Sequence, residues 1–382
     1  MKRAAETAVT PQPSTTKSKR VPSPSPPNVV GSRYRLLERC CGEGTHGVVT
    51  QAIDLHSQGT SFVAVKRLKP AREGISTTAY REIALLRRLS HDNIISMLDV
   101  VVDADGSARS LSLVFEYLPT DMLQLMRSAR QSSSFLEQHV IRKLMVSLCS
   151  GLQYLHARKV MHRDIKPANL LIEPECDWAL KICDFGLARS FDAPLRSLGL
   201  DGAVVTLWYR SPELLLGAST HSPAVDMWAS GCVLAEMLIM RPLLPGKEAS
   251  NGALQEDQIR TLCRQCGPLS QHSWSGVTQM RHWPAVRRSM GSELDACTNS
   301  LTARIMRDAC PQHGPSTPDK PVIDLLNGLL AYDPAVRLTA SDALRHAYCI
   351  ESSEDVATGT VEATEDGAAM PPPPGPTETV TG

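Results

Sequence analysis

Residues 162–169 read HRDIKPAN, and this stretch decides the fold of the chain. It places an acidic, a basic and an amide side chain close together after a His-Arg pair. Four other stretches stand in a fixed order around it: VAVK ending at Lys66, a predicted helix that carries Glu82, DFG at 184–186 and SPE at 211–213. Each has a plain structural interpretation, such as a surface lysine or a turn aspartate. Because five in this order do not arise by chance, we interpret them together.

A glycine-rich segment lies between the first two predicted strands. Gly42, Gly44 and Gly47 occur there in GEGTHGVV. Alone, this spacing is weak support for nucleotide binding, because glycines also form ordinary hairpins. A P-loop is excluded, since Val48 and Val49 follow where that motif requires Lys and then Ser or Thr. A dinucleotide-binding turn is excluded too, since a strand and not a helix follows the glycines.

Composition limits the class of protein. The 382 residues contain 40 Lys and Arg against 40 Asp and Glu, so no overall charge recruits nucleic acid or an anionic membrane. The 11 cysteines are scattered through apolar segments without a secretory leader, which indicates a reducing compartment. Cys263 and Cys266 form a CxxC without a second pair at zinc-site spacing, so we interpret them as part of a helix. No apolar run reaches the roughly 18 residues of a membrane span.

The chain is predicted to contain one globular unit between two tails. Residues 1–33 are rich in Pro, Ser, Thr and Lys and are expected to form a disordered arm. Residues 349–382 are expected to form a disordered, acidic and Pro-rich tail. Residues 34–348 carry nearly continuous apolar periodicity and are predicted to be the domain, with a small lobe over 34–118 and a large lobe over 119–348.

The two predicted lobes differ in secondary structure. Four stretches of the small lobe read as strands, namely YRLLERC, GVVTQAID, SFVAVKRL and LSLVFEYL, and STTAYREIALLRRL reads as a helix capped by Ser76 or Thr77. The large lobe is predicted to be helical, with a buried helix that starts near Ser222 and Pro223. One apolar stripe comprises Val140, Leu144, Leu148, Leu152 and Leu155. The predicted class is α+β, with a small antiparallel sheet lobe that contains one key helix and a larger, mainly helical lobe.

The predicted globular unit resembles a eukaryotic protein kinase, whose fold has two lobes. Phosphoryl transfer in that family depends on positioning and charge neutralisation. The resemblance implies that Lys66 holds the α and β phosphates of ATP and is oriented by an ion pair with Glu82. It also implies that Asp164 accepts the hydroxyl proton of a protein substrate, and that Lys166 neutralises charge on the moving phosphoryl group.

The same resemblance assigns the cofactors ATP and Mg²⁺. Asp184 would bind magnesium directly, and Asn169 would bind the second metal ion. The adenine edge would bond to the backbone of Glu116 and Leu118, and Asp121 would meet the ribose. The residues assigned to ATP are Cys41, Gly42, Glu43, Gly44, Thr45, His46, Gly47, Val48, Val49, Ala64, Lys66, Phe115, Glu116, Leu118, Asp121 and Leu171.

The resemblance assigns three further residues to architecture. Glu213 and Arg337 match a structural ion pair of the large lobe. Asp226 matches a buried helix residue that steadies the catalytic loop.

Two segments point to a subgroup. VVTLWYRSPELLLG and GISTTAYREIALLRRL resemble the corresponding motifs of cyclin-dependent kinases. Mitogen-activated kinases, the nearest rival, carry a Thr-x-Tyr pair that does not occur between Asp184 and Glu213. Family likeness implies that the carbonyl of Val205 turns to Arg210 and leaves no acceptor for an N–H after the target residue. Proline has no N–H, so Ser-Pro and Thr-Pro targets are expected.

Asp201 stands where most cyclin-dependent kinases have a phosphorylated threonine. The three arginines that would gather the phosphate remain, as Arg81, Arg163 and Arg189. A carboxylate offers one charge and two oxygens, where a phosphate offers nearly two charges and three oxygens. The branch without this threonine is the Mediator-associated group, whose partner is cyclin C, and the segments APL and HWP also resemble that group.

This resemblance implies a serine/threonine kinase that regulates transcription in the nucleus, with the cytoplasm as the alternative location. The expected partners are a cyclin, most like cyclin C, the Mediator kinase module, and substrates such as the RNA polymerase II C-terminal domain and transcription factors. No direct nucleic-acid or membrane partner is expected. A cell-cycle cyclin-dependent kinase and a non-catalytic pseudokinase scaffold remain as alternatives. The scaffold is disfavoured, because such proteins usually lose the Lys, an Asp or the glycines, and this chain keeps them.

Overall fold

The computed structural model describes residues 28–44, 47–69, 76–105, 108–191, 207–249, 254–309 and 320–350. Several sequence predictions lie outside the described residues: the two tails up to residue 27 and from residue 351, Thr45, His46, Asp201, Val205 and the side chain of Glu43. The chain divides into two units. The first comprises the residues up to Ala79 together with Ser96–Tyr117, and the second comprises Tyr80–Ile95 together with the residues from Leu118 onward.

The first unit is built on a six-stranded sheet. Its strands are β1 (Val29–Val30), β2 (Tyr34–Gly44), β3 (Gly47–Asp54), β4 (Phe62–Leu68), β5 (Met97–Asp105) and β6 (Ala108–Glu116). They lie in the order β1-β2-β3-β4-β6-β5, and all neighbours are antiparallel. The four predicted strands correspond to β2, β3, β4 and β6. Strand β5 was not predicted, although MLDVVVDAD contains a run of β-branched valines.

Strand β1 corrects one end of the predicted disordered arm, which was expected to extend through residue 33. The predicted disordered tail is likewise corrected at its start, since Cys349 and Ile350 end a helix over Ala347–Ile350 and Cys349 is buried. Val29 and Val30 pair with the start of β2, and Val30 is buried. The N–H of Gly31 then donates to the carboxylate of Asp103 at 3.1 Å. Two consecutive valines can add a strand to a sheet edge and bury an apolar side chain, which offsets the entropy lost on ordering.

A cluster of buried side chains lies on one face of this sheet: Val30, Tyr34, Ala52, Val63, Val65 and Val114. The phenol of Tyr34 donates to Asp99 Oδ2 at 2.9 Å and so links β2 to the edge strand β5. Because side chains alternate along a strand, the neighbouring positions of β3, β4 and β6 point to the other face. That other face carries the residues that were assigned to nucleotide.

The predicted helix of the small lobe is α1 (Thr77–Leu86). Of its two predicted caps, Ser76 is the one described, since its Oγ accepts the N–H of Ala79 at 3.1 Å. The helical spacing of Ala79, Ile83 and Leu86 predicts that they share one apolar face; Ala79 and Leu86 are buried, whereas Ile83 is half-buried.

The second unit is mainly helical. Its helices are α2 (Met122–Gln131), α3 (Gln138–Ala157), α4 (Pro212–Leu215), α5 (Ala224–Ile239), α6 (Glu256–Cys266), α7 (Trp283–Asp295), α8 (Leu301–Ala309), α9 (Lys320–Leu329), α10 (Ala340–Leu344) and α11 (Ala347–Ile350). Its strands are β7 (Thr120–Asp121), β8 (Val160–Met161), β9 (Leu170–Glu173), β10 (Ala179–Ile182) and β11 (Arg189–Ser190). Together with the antiparallel sheet of the first unit, they confirm the predicted α+β class.

Helices α3 and α5 form the core of this unit. All five residues of the predicted stripe in α3 are buried. Helix α5 follows Pro223 and buries every residue from Val225 to Ile239, as expected for a central helix. No helix within the described ranges has the length and apolar character needed to cross a membrane.

A buried ion pair joins the segments around α5. Both carboxylate oxygens of Glu213 accept from the guanidinium of Arg337, at 2.7 and 3.0 Å. The same guanidinium donates to the carbonyls of Ala224, Ala331 and Tyr332. Since a buried charge is tolerated only when its hydrogen bonds are satisfied, this network explains why the pair persists. The prediction for these two residues is confirmed.

The CxxC pair lies on α6, as expected. Cys263 is buried, and burial raises the pKa of both Cys263 and Cys266 to about 12. These thiols stay protonated near neutral pH and act as small apolar side chains. Within the described residues, no group of three or more His, Cys, Asp or Glu could hold a metal ion.

Candidate active site

The first unit gathers predicted nucleotide residues on one face of its sheet. Val49 of β3 lies opposite Lys66 of β4, and Ala64 lies opposite Phe115 of β6. Since Ala64 and Lys66 are two residues apart on one strand, all four side chains point to the same face. Lys66 is only 8% exposed, so its ammonium group stands among protein atoms instead of extending into water. The sheet therefore places a cation beside apolar side chains.

The glycines of the glycine-rich segment lie at the facing ends of β2 and β3. Gly42 lies opposite Val49, and Gly44 lies opposite Gly47. A Cβ on Gly47 would lie 2.2 Å from the backbone oxygen of Arg67, so only glycine fits there. A Cβ on Gly42 would meet no described atom within 4 Å. Gly42 thus leaves open space on the face that carries Lys66.

Cys41 sits in an irregular part of β2. The register with β3 shifts between Cys40 and Gly42, and Cys41 occupies the extra position. Its side chain is half-buried, and burial raises the pKa of its thiol. The protonated thiol is a suitable small apolar surface for an adenine ring.

Glu116 ends β6 and has a role that the sequence did not predict. Its carboxylate accepts the N–H of Ser96 at 2.7 Å, and its own N–H donates to the carbonyl of Ser96 at 3.2 Å. These bonds fix the start of β5 against the end of β6. The next predicted contact, Leu118, is buried and belongs to the second unit.

The second unit brings together two further residues that were predicted to contact the nucleotide. Asp121 of β7 pairs with Leu171 of β9. The carboxylate of Asp121 also caps α2, because Oδ1 accepts the N–H of Gln124 at 2.9 Å and Oδ2 accepts its side-chain amide at 2.6 Å. This capping role was missed at the level of sequence, although an Asp immediately before a helix is its usual signal.

The catalytic-loop candidates converge on one carboxylate. The ammonium of Lys166 donates to Asp164 Oδ2 at 2.7 Å, and Asn169 Nδ2 donates to the same oxygen at 2.9 Å. Asn169 Nδ2 also donates to the carbonyl of Asp164 at 2.8 Å. Asp164 and Asn169 are both buried. Because both side-chain donors use Oδ2, the loop holds the carboxylate in one orientation and directs Oδ1 elsewhere.

A buried anion beneath the loop supports this arrangement. Asp226 of α5 accepts the backbone N–H groups of His162 and Arg163, at 2.9 and 2.7 Å. His156 Nε2 lies 2.9 Å from Asp226 Oδ2. Burial disfavours the charged form of Asp226, but the hydrogen bond and charge of His156 outweigh it and lower the pKa of the carboxyl. The predicted role of Asp226 is confirmed, and the role of His156 was not predicted.

The β9–β10 hairpin brings the two metal-ligand candidates to the same end. Leu170 pairs with Ile182, so Asn169 just before β9 lies beside Cys183 just after β10. The N–H of Cys183 donates to the carbonyl of Asn169 at 3.0 Å. Asp184 follows in the left-handed region, with a φ of 63°. Strained backbone of this kind in a non-glycine residue is often kept at functional sites.

Phe185 anchors the same segment. It is fully buried, and its ring meets the ring of His162 edge-on with centroids 5.0 Å apart. His162 Nε2 lies 3.0 Å from the carbonyl of Cys183. This packing holds Asp184 next to the catalytic loop.

The donor set suits a divalent metal. Asn169 uses Nδ2 in both of its hydrogen bonds, so its carbonyl oxygen Oδ1 can face an ion. With the carboxylate of Asp184, it supplies the hard oxygen ligands that Mg²⁺ prefers, and Mg²⁺ commonly takes its remaining ligands from phosphate and water.

Lys66 and Glu82 belong to different units. Lys66 lies on β4 of the first unit, whereas Glu82 lies on the part of α1 that belongs to the second unit and is 1% exposed. Their ion pair stays a prediction.

One buried pair near the predicted substrate loop was missed. The phenol of Tyr209 donates to Glu236 Oε2 at 2.6 Å. Burial raises the pKa of Tyr209, and it raises the pKa of Glu236 as well. Tyr209 directly precedes Arg210, so this bond anchors the neighbour of the arginine on which the predicted proline selectivity depends. A lone Tyr in the sequence carries no signal for such a distant partner.

The chain is similar in sequence to known proteins. The family model "Protein kinase domain" matches residues 36–349. The chain is 38% identical over 337 residues to a probable cyclin-dependent kinase 8 of Dictyostelium discoideum, covering 84% of each chain. It is 36% identical over 347 residues to the serine/threonine-protein kinase SSN3 of Phaeosphaeria nodorum, covering 84% of this chain and 76% of that protein. It is 40% identical over 324 residues to the cell division control protein 2 homolog 1 of Trypanosoma brucei brucei, covering 84% of this chain and 98% of that protein.

Proposed function

This chain belongs to the protein kinase family and, within it, to the cyclin-dependent serine/threonine kinases, and from that premise we propose that it phosphorylates Ser-Pro and Thr-Pro sites of transcription proteins. The predicted family, including its Mediator-associated branch, is confirmed by the relatives named cyclin-dependent kinase 8 and SSN3. ATP, a divalent metal and a cyclin partner follow from membership of the family. We assign the metal as Mg²⁺, the cyclin as cyclin C-like, the larger assembly as the Mediator kinase module, and the location as the nucleus.

One observation supports the catalytic assignment most strongly, which is the convergence of Lys166 and Asn169 on Asp164 Oδ2. In this proposal, the substrate hydroxyl oxygen forms a bond to the γ-phosphorus of ATP while the bond to the β,γ-bridging oxygen breaks, and ADP leaves. The hydroxyl proton passes to Asp164, whose second oxygen is held by the two donors. Lys166 offsets negative charge on the transferred group.

The remaining site residues prepare the nucleotide. Lys66 would hold the α and β phosphates, and Glu82 would orient it. Asn169 Oδ1 and the Asp184 carboxylate would hold Mg²⁺, which neutralises charge on the β and γ phosphates when bound. Cys41, Val49, Ala64, Phe115 and Leu171 would enclose the adenine, with Asp121 at the ribose.

Selectivity for proline is proposed from the segment before α4. Val205 lies outside the described residues, but Arg210 follows Tyr209, whose phenol is held by its hydrogen bond to Glu236. A carbonyl of Val205 turned toward Arg210 would leave no acceptor for the residue after the target. Proline suits this position because it has no N–H that would be left without an acceptor.

A cyclin partner fits the surface of α1. Tyr80 is 71% exposed on this helix and offers a large aromatic side chain to a partner. A protein that packs on α1 would cover Tyr80 and fix Glu82 of the same helix.

The experiment that tests the proposed function is a phosphoryl-transfer assay. The chain is co-expressed with cyclin C, and transfer of labelled phosphate from ATP to a Ser-Pro peptide is measured. Asp164→Asn is expected to lower kcat at least about 1,000-fold, because the proton acceptor and the charged anchor for Lys166 are lost. Asp177→Asn, on the exposed turn between β9 and β10, is the matched control and should keep normal activity. If the wild-type chain transferred no more labelled phosphate to the peptide than Asp164→Asn does, the catalytic assignment would be wrong and the function would be that of a non-catalytic scaffold.

A second candidate function is a cell-cycle kinase, which the 40% identity to a cell division control protein favours. The two are separated by the proteins that co-purify with the chain. Cyclin C and Mediator subunits are expected. Recovery of a mitotic cyclin in their place would assign the chain to the cell cycle.

A further inference from the structure

A cluster of arginines on the second unit takes no part in the proposed reaction. Its members are Arg130 in the last turn of α2, Arg241 after α5, and Arg304 and Arg307 in α8. Asp308 is the acidic partner of Arg241, Arg304 and Arg307, whereas the charge of Arg130 acts on Glu236. Its carboxylate binds Arg241, lies 2.9 Å from Arg307 Nε and lies 3.5 Å from Arg304 Nε.

The charges in this cluster do not balance. Three guanidinium groups contact one carboxylate, so these four side chains carry a net charge of +2. Burial acts against ionisation of Asp308, but hydrogen bonds from Arg307 and Arg241 outweigh it and lower the pKa of the carboxyl. Burial and the positive charge of Arg241 lower the pKa of Arg304. One carboxylate does not neutralise the repulsion among three guanidinium groups. A second anion would therefore be stabilised here.

The cluster is held in place and is accessible. Arg304 donates to the carbonyl of Leu243 at 3.0 Å, and Arg130 donates to the carbonyl of Met240. The side chains of Arg241 and Arg307 are 53% and 71% exposed. An incoming anion therefore meets guanidinium groups whose positions are already partly fixed, which lowers the entropic cost of binding.

The chain itself contains a segment of matching charge. From residue 351 onward it has seven acidic residues and no Lys or Arg. Six of them fall within Glu351–Asp366: Glu351, Glu354, Asp355, Glu362, Glu365 and Asp366. This segment follows directly after α11.

The acidic segment is long enough to reach the cluster from the end of α11. The guanidinium of Arg142 in α3 lies over the ring of Tyr348 in α11, 5.3 Å from its centroid. Only residues 132–137 separate α2, which carries Arg130, from α3. The path along the chain from Arg142 to Arg130 is at most about 30 Å, whereas 16 extended residues reach about 50 Å.

We propose that the acidic segment Glu351–Asp366 docks on the arginine cluster formed by Arg130, Arg241, Arg304 and Arg307. An acidic segment of another protein has the same chemistry, but the chain's own segment is tethered. The tether gives it an effective concentration near the millimolar range, which favours it over a free partner of equal charge.

Cleavage of the full-length chain by a glutamate-specific protease tests this docking. The rate of cleavage after Glu354, Glu362 and Glu365 is followed by mass spectrometry at low and at high salt. Docked glutamates are protected, so cleavage is expected to be about three- to tenfold faster at high salt, which screens the contact. The double variant Arg241→Gln with Arg307→Gln should reach the fast rate already at low salt.

Two controls keep the test specific. Arg264→Gln with Arg287→Gln replaces two exposed arginines that also pair with acids on the second unit, and it should retain the slow rate. In a second measurement, a fluorescent peptide of residues 351–366 is titrated into a full chain whose six tail acids are replaced by amides. It should bind at least about threefold more tightly to that chain than to the same chain with the two cluster substitutions.

Equal cleavage rates of the wild-type chain and the cluster variant, or equal peptide affinity with and without the cluster substitutions, would overturn the proposal. Neither readout depends on kinase activity. Failure here therefore leaves the proposed function untouched, and failure of the kinase assay leaves this result standing.

Discussion

Asp226 Oδ1 accepts the backbone N–H of Arg163 at 2.7 Å, and this bond joins a buried helix to the catalytic loop across 63 positions of sequence. Arg163 has a left-handed φ of 70°, a conformation that costs energy for a residue with a side chain. Asp164 comes next in the chain. The anion on α5 thus holds the backbone that orients the proposed proton acceptor.

Replacing Asp226 by Asn should weaken both folding and catalysis. Asn keeps the volume but loses the charge and one acceptor oxygen, so one N–H of the loop and His156 lose their partner. We expect the free energy of unfolding to fall by about 2–4 kcal/mol. We expect kcat to fall about tenfold or more, since the backbone of His162, two residues before Asp164, is no longer held. Urea denaturation and steady-state kinetics of the cyclin complex measure the two effects.

The control for Asp226 is Asp257→Asn, an exposed carboxylate on α6 that accepts the N–H of Lys247. It should change the free energy of unfolding by less than about 1 kcal/mol and leave kcat unchanged. If Asp226→Asn behaved like this control, the anion would have no role in holding the loop.

Variants of Gly42 and Gly47 should separate stability from the proposed ATP binding. Gly47→Ala forces a Cβ within 2.2 Å of a backbone oxygen, so the strands must move. We expect a loss of about 1–3 kcal/mol in the free energy of unfolding. Gly42→Ala adds a methyl group to open space, so its stability should stay within about 1 kcal/mol of the wild type. If phosphate approaches Gly42, this variant should raise the KM for ATP several-fold.

Thermal unfolding and KM measurements distinguish the two variants. A normal KM for Gly42→Ala would mean that the nucleotide does not approach that face of the turn. A stable Gly47→Ala protein would contradict the close backbone contact.

The buried pair of Tyr209 and Glu236 predicts a pH dependence. Burial raises the pKa of Glu236 in the folded protein above its unfolded value, so the folded state binds the proton more tightly. The resulting stabilisation is present below the unfolded pKa and is lost as pH rises through the folded pKa. Glu236→Gln should therefore be more stable than the wild type at pH 8, by an amount on the order of 1 kcal/mol, since its amide oxygen still accepts from Tyr209.

Denaturation curves at pH 8 and near pH 4.5 check this sign. The advantage of Glu236→Gln should shrink at the lower pH, because acidification favours the protonated wild-type carboxyl. An advantage that grew on acidification would show that the charged carboxylate stabilises the fold.

Asp201 predicts activity that does not depend on phosphorylation of the activation segment. It lies outside the described residues, and its role is inferred from its position relative to Val204. Phosphatase treatment of the purified cyclin complex should leave kcat nearly unchanged. Asp201→Asn should lower kcat about tenfold, because an amide cannot neutralise the three arginines. Ser197→Ala, in the same segment, is the matched control. A large loss after phosphatase treatment would locate a required phosphate elsewhere.

Much of the site can be recognised in the sequence alone. Lys166 and Asn169 lie two and five positions after Asp164, so their chemistry and spacing are visible as a motif. Glu213 and Arg337 could be paired only through family resemblance, since 124 positions separate them. His156, Glu236 and the capping role of Asp121 were missed, because a residue type alone does not identify its partner. Strand β1 was missed because the Pro-rich composition before it outweighed two valines.

The sequence by itself determined which residue types are available for chemistry, in what order, and which periodic segments form helices and strands, because these properties depend on neighbours along the chain. Only the tertiary structure decided that two donors share Asp164 Oδ2, that Asp226 supports the loop with His156, and that three arginines meet at Asp308. The contacts at Asp164 depend on how one loop is folded, whereas those of Asp226 and of Arg241 with Asp308 join segments that are distant in sequence. They form where packed helices and strands bring the segments within hydrogen-bonding distance, and no local pattern encodes that distance.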